Sequence, residues 1–169
     1  CIMYYIFYAF FYLLSLLPWR VFYIISDFFA FILQYVVKYR VDVVAKNLAI
    51  AFPDKSVAER KKIANAFYQK FTDSFVETIK FISISTREYE KRFTSNVEVL
   101  NDLYDTGQSV QIMAGHFFNW EYANWGVAKY GKYPFLAVYM PLSNGFFDKM
   151  ILQMRARFGS IMIPATQFK

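Results

Sequence analysis

Cysteine and histidine are almost missing from this chain: each occurs once in 169 residues, as Cys1 and His116. A single cysteine excludes an intramolecular disulfide and any cysteine-rich zinc site, and is compatible with a reducing compartment. A single histidine gives any imidazole chemistry one address. Glycine and proline are scarce, at 6 and 5 residues, and no internal repeat, low-complexity tract or Gly/Ser linker interrupts the sequence. Acids are outnumbered by bases, 13 to 19, for a net charge of +6 and a pI near 9.3. That balance suits an anionic partner such as a phospholipid surface, a phosphorylated glycolipid or an acidic carrier protein. Nucleic acid would match the charge but not the apolar N-terminus, and is not expected.

What the chain has in excess is apolar and aromatic surface: 57% hydrophobic residues, with 20 Phe and 14 Tyr. Its length supports one domain with a real core and not two large ones. Residues 2–17 are apolar or aromatic apart from Ser15, and residues 21–37 are apolar except Ser26, Asp27 and Gln34. Spanning a bilayer takes ~20 helical residues. The first run is expected to be a membrane helix, slightly short, and the second a helix lying along or dipping into the interface. No small-residue cleavage site or charged start marks a signal peptide. Lys38, Arg40 and Lys46 follow, which on the positive-inside rule places this end in the cytoplasm. A pair of greasy core helices in a soluble protein is the plainer alternative.

Further on, residues 40–51 can form a short helix stopped before Pro53. Ser56 with Glu59 has the form of a capping box and predicts a long amphipathic helix. On it Ile63, Phe67, Phe71, Phe75 and Ile79 recur every fourth residue as one apolar stripe, with Arg60, Lys61, Lys62, Lys70 and Lys80 mostly off it as a solvated face. Asp73 and Glu77, four apart, have metal-ligand spacing, but with no His nearby they are expected as surface or ion-paired residues. Residues 86–92 predict a second charged helix. Residues 97–104 predict a short strand running into a helix that ends at Gly107.

The segment 109–125, SVQIMAGHFFNWEYANW, organises the rest. Val110, Ile112 and Met113 predict a short buried strand, Gly115 a sharp turn, then His116, then a helix from about Asn119 to Tyr130 stopped by Gly131. Glu121 falls in the first turn of that helix, five residues after the histidine. A neutral imidazole can take a proton from a hydroxyl while a carboxylate holds its other N–H. The ordinary alternative is a buried His with one hydrogen bond and an acid near a helix N-terminus. Strands at 135–139 and 161–163 with a helix at 146–158 complete a strand-helix alternation, which predicts an α/β chain with right-handed crossovers and a parallel sheet. Ser143 and Asn144 read best as a turn and helix N-cap.

Gly115-His116-Phe117-Phe118-Asn119-Trp120-Glu121 resembles the GHxGNWE form of the His-x4-Asp/Glu motif of the lipid A biosynthesis acyltransferases, the late lauroyl or myristoyl transferases of the bacterial inner membrane. Tyr39-Arg40, Lys46-Asn47-Leu48 and Ala51-Phe52-Pro53 are similar to that family's YR…KNL…AFP segment. Arg155-Ala156-Arg157-Phe158-Gly159 is similar to its RxRxG segment. The likeness covers nearly the whole chain; Phe118 departs from it, standing where many members have Gly. The resemblance implies a glycerolipid-acyltransferase-like fold, residues 1–37 as membrane or interfacial anchor, and residues 38–169 as the N-terminal part of the catalytic domain. The family is close to twice as long, so the chain is expected to be a fragment open at both ends.

The resemblance further implies transfer of a fatty acyl group from acyl carrier protein or coenzyme A to a lipid A precursor at the cytoplasmic face of the inner membrane. His116 and Glu121 would be the catalytic pair. Arg157, with Arg155 next and Asn119 beside the motif, would be candidates to bind substrate or the oxyanion, with no metal or cofactor. Alternatives are another lipid acceptor, such as a lysophospholipid, an amino-acid lipid or a mannosylated inositol lipid, or a non-catalytic membrane-anchored protein that binds lipid or a partner.

Overall fold

The computed structural model describes residues 2–115 and 119–167. His116, Phe117 and Phe118 lie outside the described residues. The chain is mostly helical with a small parallel sheet, and it divides into two compact units: Leu16–Lys80, and Cys1–Ser15 together with Phe81–Lys169.

In the first of these units, α2 (Trp19–Phe31) continues through a π-helical turn, Ile32–Val36, and packs on α4 (Val57–Lys80); α3 (Val41–Ala51) also packs on α4. Ser56 starts α4 as its sequence predicts: its hydroxyl accepts from the Glu59 N–H at 3.3 Å, and the Glu59 carboxylate accepts from the Ser56 N–H at 2.8 Å. The buried row on α4 is Tyr68, Thr72, Val76 and Lys80, with Asp73 beside it. This corrects the expected stripe: Phe67 and Phe75 are exposed, and Phe71 stacks on Phe67 and meets Phe75 edge to face along the helix. The reason is the partner. Helix α2 presents Ser26 to Thr72 at 3.0 Å, so the row one residue on from the Phe stripe faces the seam.

Lys80, expected on a solvated face, is buried. Its Nζ donates to the Leu17 carbonyl at 2.5 Å and lies over the rings of Trp19 and Phe22. Lys38 and Arg40 take left-handed backbone conformations, φ 54° and 51°, in the turn between α2 and α3. Each costs about 1–2 kcal/mol for a residue with a Cβ. The Tyr68 hydroxyl, donating to the Tyr39 carbonyl at 2.6 Å, pins the residue between them.

The other unit opens with α1 (Ile2–Ser15), which is 14 residues long and lies against α8 (Gly145–Ala156). Tyr4, Phe7 and Phe11 surround Phe146, and the Tyr4 hydroxyl donates to Gln153. Among the described residues, the helix long and apolar enough to cross a membrane, by length and composition, is Trp19–Val36. The shortness expected of the first run is what α1 shows.

The core of this unit is aromatic. Trp125 is fully buried and its indole N–H donates to the Met154 carbonyl at 3.0 Å. Phe81 meets Trp125 edge to face at 4.6 Å, and Tyr89 stacks on Tyr122. Burying a ring the size of Phe81 contributes about 1.5–3 kcal/mol. Helix α5 (Thr86–Glu90) is capped by Ser85, whose hydroxyl accepts from the Glu88 N–H. Helix α6 (Glu98–Asp105) forms without the strand expected ahead of it, and ends at Gly107, whose φ of +74° suits glycine.

Helix α7 (Glu121–Tyr130) ends at Gly131, where a Cβ would meet the Val127 carbonyl oxygen at 2.5 Å. β1 (Leu136–Tyr139) pairs in parallel with β2 (Ile161–Pro164), Leu136 opposite Ile161, with α8 between them in sequence. The parallel pair and its helix agree with expectation; the central strand does not form. Among the described residues, 110–113 have no ladder partner, and Met113 is 89% exposed. A short apolar run becomes a strand only when a neighbour takes its backbone groups, and here β1 pairs with β2 instead.

Candidate active site

Helix α7 sets Glu121 as its first residue, so the acid sits at the positive end of the helix dipole. The start of the helix is held from Asn119, whose side-chain oxygen accepts from the Glu121 N–H at 3.3 Å while its carbonyl accepts from the Tyr122 N–H at 3.2 Å. Asn119 therefore steadies the helix start, although Trp120 occupies the cap position itself.

The Glu121 side chain is buried, and its carboxylate is met by Arg155 from the last turn of α8. Nε donates to Oε1 at 2.9 Å and to Oε2 at 3.0 Å, and Nη2 donates to Oε1. A carboxylate can accept about four hydrogen bonds, so Oε2, with one among the described residues, retains capacity for another N–H donor. The two helices are locked around this pair. Asn124 Nδ2 donates to the Arg155 carbonyl at 3.2 Å, Trp125 Nε1 takes the Met154 carbonyl, and the Ser160 hydroxyl donates to Asn124 Oδ1 at 3.2 Å.

Sequence reasoning missed Asn124 and Ser160. Asn124 stands three residues after Glu121, one turn on and on the same helix face, which is the signal that could have found it.

Of the residues singled out from sequence, the structure brings Glu121, Asn119 and Arg155 together. Arg157 goes elsewhere. Its Nη1 donates to the Phe81 carbonyl at 3.1 Å, and its guanidinium lies over the rings of Trp125 and Phe158, both at 5.4 Å. His116 lies outside the described residues. Asn144 caps α8, its side-chain oxygen accepting from the N–H groups of Phe146 and Phe147, and Asp148 accepts from the Leu142 N–H. Asp73 pairs with Lys70 at 3.2 Å, and Glu77 accepts from the Tyr23 hydroxyl at 2.9 Å.

Around the frame, burial pushes the Tyr89 phenol well above its ordinary value, and its hydroxyl donates to the Tyr122 carbonyl at 2.7 Å. The Tyr130 phenol, withdrawn from water and bonded to the Glu90 carboxylate, is pushed up to about 12. Gly126 has to be small: a Cβ there would come within 2.8 Å of the Tyr89 hydroxyl and 2.9 Å of Phe93.

Comparison with curated proteins and with solved structures gives no significant match. The family model described as bacterial lipid A biosynthesis acyltransferase matches residues 1–169, which takes in the motif, the paired acid and arginine, and the N-terminal helices. The chain belongs to the bacterial lipid A biosynthesis acyltransferase family.

Proposed function

We propose that the protein moves a fatty acyl group from an acyl thioester, on acyl carrier protein or coenzyme A, to a hydroxyl of a lipid A precursor. Family membership makes it an acyltransferase with an acyl donor and a lipid acceptor. The observation that carries the finer reading is the placement of Glu121: buried at the start of α7, five residues beyond the only histidine, and held rigidly by Arg155.

In this reading His116 is the general base. The acceptor oxygen attacks the thioester carbon as its proton passes to the imidazole, and a C–O bond forms. The tetrahedral intermediate collapses with cleavage of the C–S bond, and the imidazolium returns the proton to the departing thiolate. Glu121 takes the other imidazole N–H and stabilises the cation as it forms.

Arg155 positions Glu121, a role its hydrogen bonds support better than direct contact with substrate. With Arg157 on the Phe81 carbonyl and the Glu121 and Tyr122 N–H groups bonded to Asn119, the oxyanion is assigned to main-chain N–H groups of the motif just ahead of α7. No Ser or Cys stands between Val110 and Trp125, which supports direct displacement without a covalent enzyme intermediate.

Residues 1–37 anchor the protein to the bacterial inner membrane and residues 38–169 belong to a catalytic domain facing the cytoplasm. The net charge of +6 suits an acidic carrier protein as donor. Replacing His116 or Glu121 by Ala in the full-length protein lowers acyl transfer by about 10²–10⁴-fold; near-normal turnover refutes the assignment. Mass spectrometry of membrane lipids from cells lacking the gene identifies the acceptor, since loss of one chain from lipid A is specific to it.

A further inference from the structure

We infer that α2 does not cross the membrane but lies in the plane of an anionic bilayer surface, with α4 riding on its inner side. The argument stays within Leu16–Lys80 and is independent of the acyl-transfer reading. By length and composition, Trp19–Val36 would pass for a span. Its contacts say otherwise. Three polar pairs clamp α2 to α4 over eleven positions: the Tyr23 hydroxyl on Glu77 Oε1 at 2.9 Å, the Ser26 hydroxyl on Thr72 Oγ1 at 3.0 Å, and Gln34 Nε2 on Asn65 Oδ1 at 2.7 Å.

Over that same stretch α4 carries Gln69, Lys70, Asp73 and Glu77. An α2 threaded through the bilayer would carry these groups of α4 toward hydrocarbon, where ionisable side chains are costly even when paired.

The opposite side of α2 is built for lipid. At 100° per residue, Val21, Ile24, Phe28 and Phe31 share the face turned away from the buried Phe22, Ser26 and Ala30, and all four are exposed. This face carries no charge; Asp27 and Arg20 fall on one flank with Tyr23 and Gln34. Apolar surface continues in exposed Phe29 on α2 and in the exposed Phe67 and Phe75 of α4. Exposed Arg20 stands near the start of the helix, and exposed Lys38, Arg40 and Lys46 follow its end. A continuous apolar face between basic ends matches an anionic lipid surface, not a neutral one.

Topology decides the matter. In the full chain with Cys1→Ser, Arg20→Cys and Lys38→Cys are made singly, and a membrane-impermeant maleimide is applied to right-side-out and inside-out inner-membrane vesicles. Both ends of an in-plane helix react from the same side; one end reacting from each side overturns the proposal. A spin label at Phe28→Cys is expected about 5–10 Å below the phosphate level. A label at the bilayer midplane, in water, or coupled to a second copy whatever the lipid present also overturns it. Binding to phosphatidylglycerol vesicles should exceed binding to phosphatidylcholine vesicles and fall at least tenfold in F28S/F31S, whose replaced side chains are exposed. Equal binding to both lipids, or no fall in the variant, removes the anionic surface as the occupant.

Discussion

Arg155 holds the carboxylate of Glu121 across 34 positions of sequence, its Nε 2.9 Å from Oε1 and 3.0 Å from Oε2. The acid belongs to the first turn of α7 and the base to the last turn of α8, so one ion pair joins the two helices at the charged end of each. Both side chains are largely withdrawn from water, 5% and 19% exposed, which makes the pair costly to break from one side.

Removing Arg155 leaves a buried carboxylate without its partner. R155M should lower unfolding stability by about 3–5 kcal/mol, with R155K recovering only part because an ammonium cannot reproduce the guanidinium fork. The double variant E121M/R155M should regain most of the stability yet transfer no acyl chains. Urea unfolding and thioester turnover on the same samples separate the two effects, and an active double variant would take Glu121 out of the chemistry.

Arg157 offers a contrast two residues away. Its bond to the Phe81 carbonyl and its place over Trp125 and Phe158 make it part of the aromatic core's lid. R157A should cost about 1–3 kcal/mol of stability. A loss of about 10²–10³ in kcat with the unfolding midpoint unchanged would instead make it the oxyanion donor.

Gly126→Ala should destabilise by about 1–3 kcal/mol, because the added methyl meets the Tyr89 hydroxyl and the Phe93 ring below contact distance. Y89F removes one of the two obstructing atoms along with its bond to the Tyr122 carbonyl. The double variant G126A/Y89F should then be more stable than the sum of the singles predicts, measurable as a double-mutant cycle.

Tyr130 makes the alkaline limb of the stability curve informative. Its folded-state pKa of about 12 lies above the ordinary 10.0, so the neutral phenol is favoured in the folded chain. Its stabilising contribution is present in full below about pH 10 and is lost as pH rises through about 12. Y130F should flatten that part of the curve and lower stability below about pH 10, where the contribution it removes is present, as followed by urea unfolding against pH.

How far the sequence can be taken is clearest on α4. Ser56 and Glu59, three apart, announce the start of the helix, and the hydrogen bonds between them are the ones their spacing predicts. Which face of that helix is buried was not legible. The Phe row at 67, 71 and 75 is the more hydrophobic, yet the row through Tyr68, Thr72, Val76 and Lys80 faces α2, because Ser26 and Gln34 on α2 need polar partners and that row and its neighbours supply them. At the candidate site, the position of Glu121 on the first turn was readable from local pattern. Its partner was not, since nothing near Glu121 in the chain points to Arg155.

What the sequence determined by itself, then, is everything set by neighbours a few positions apart: the helix limits at Ser56, Gly107 and Gly131, the N-cap at Asn144, the acid at the start of α7, and the family to which its motifs belong. Tertiary structure decided the choices among competing partners: Phe81 for Arg157, Arg155 for Glu121, Leu17 for Lys80, and no partner strand for residues 110–113 among the described residues. Caps and turns are settled by steric and hydrogen-bond preferences within one or two turns of chain. Pairing between distant groups depends on which faces meet, and that is known only once the helices have packed.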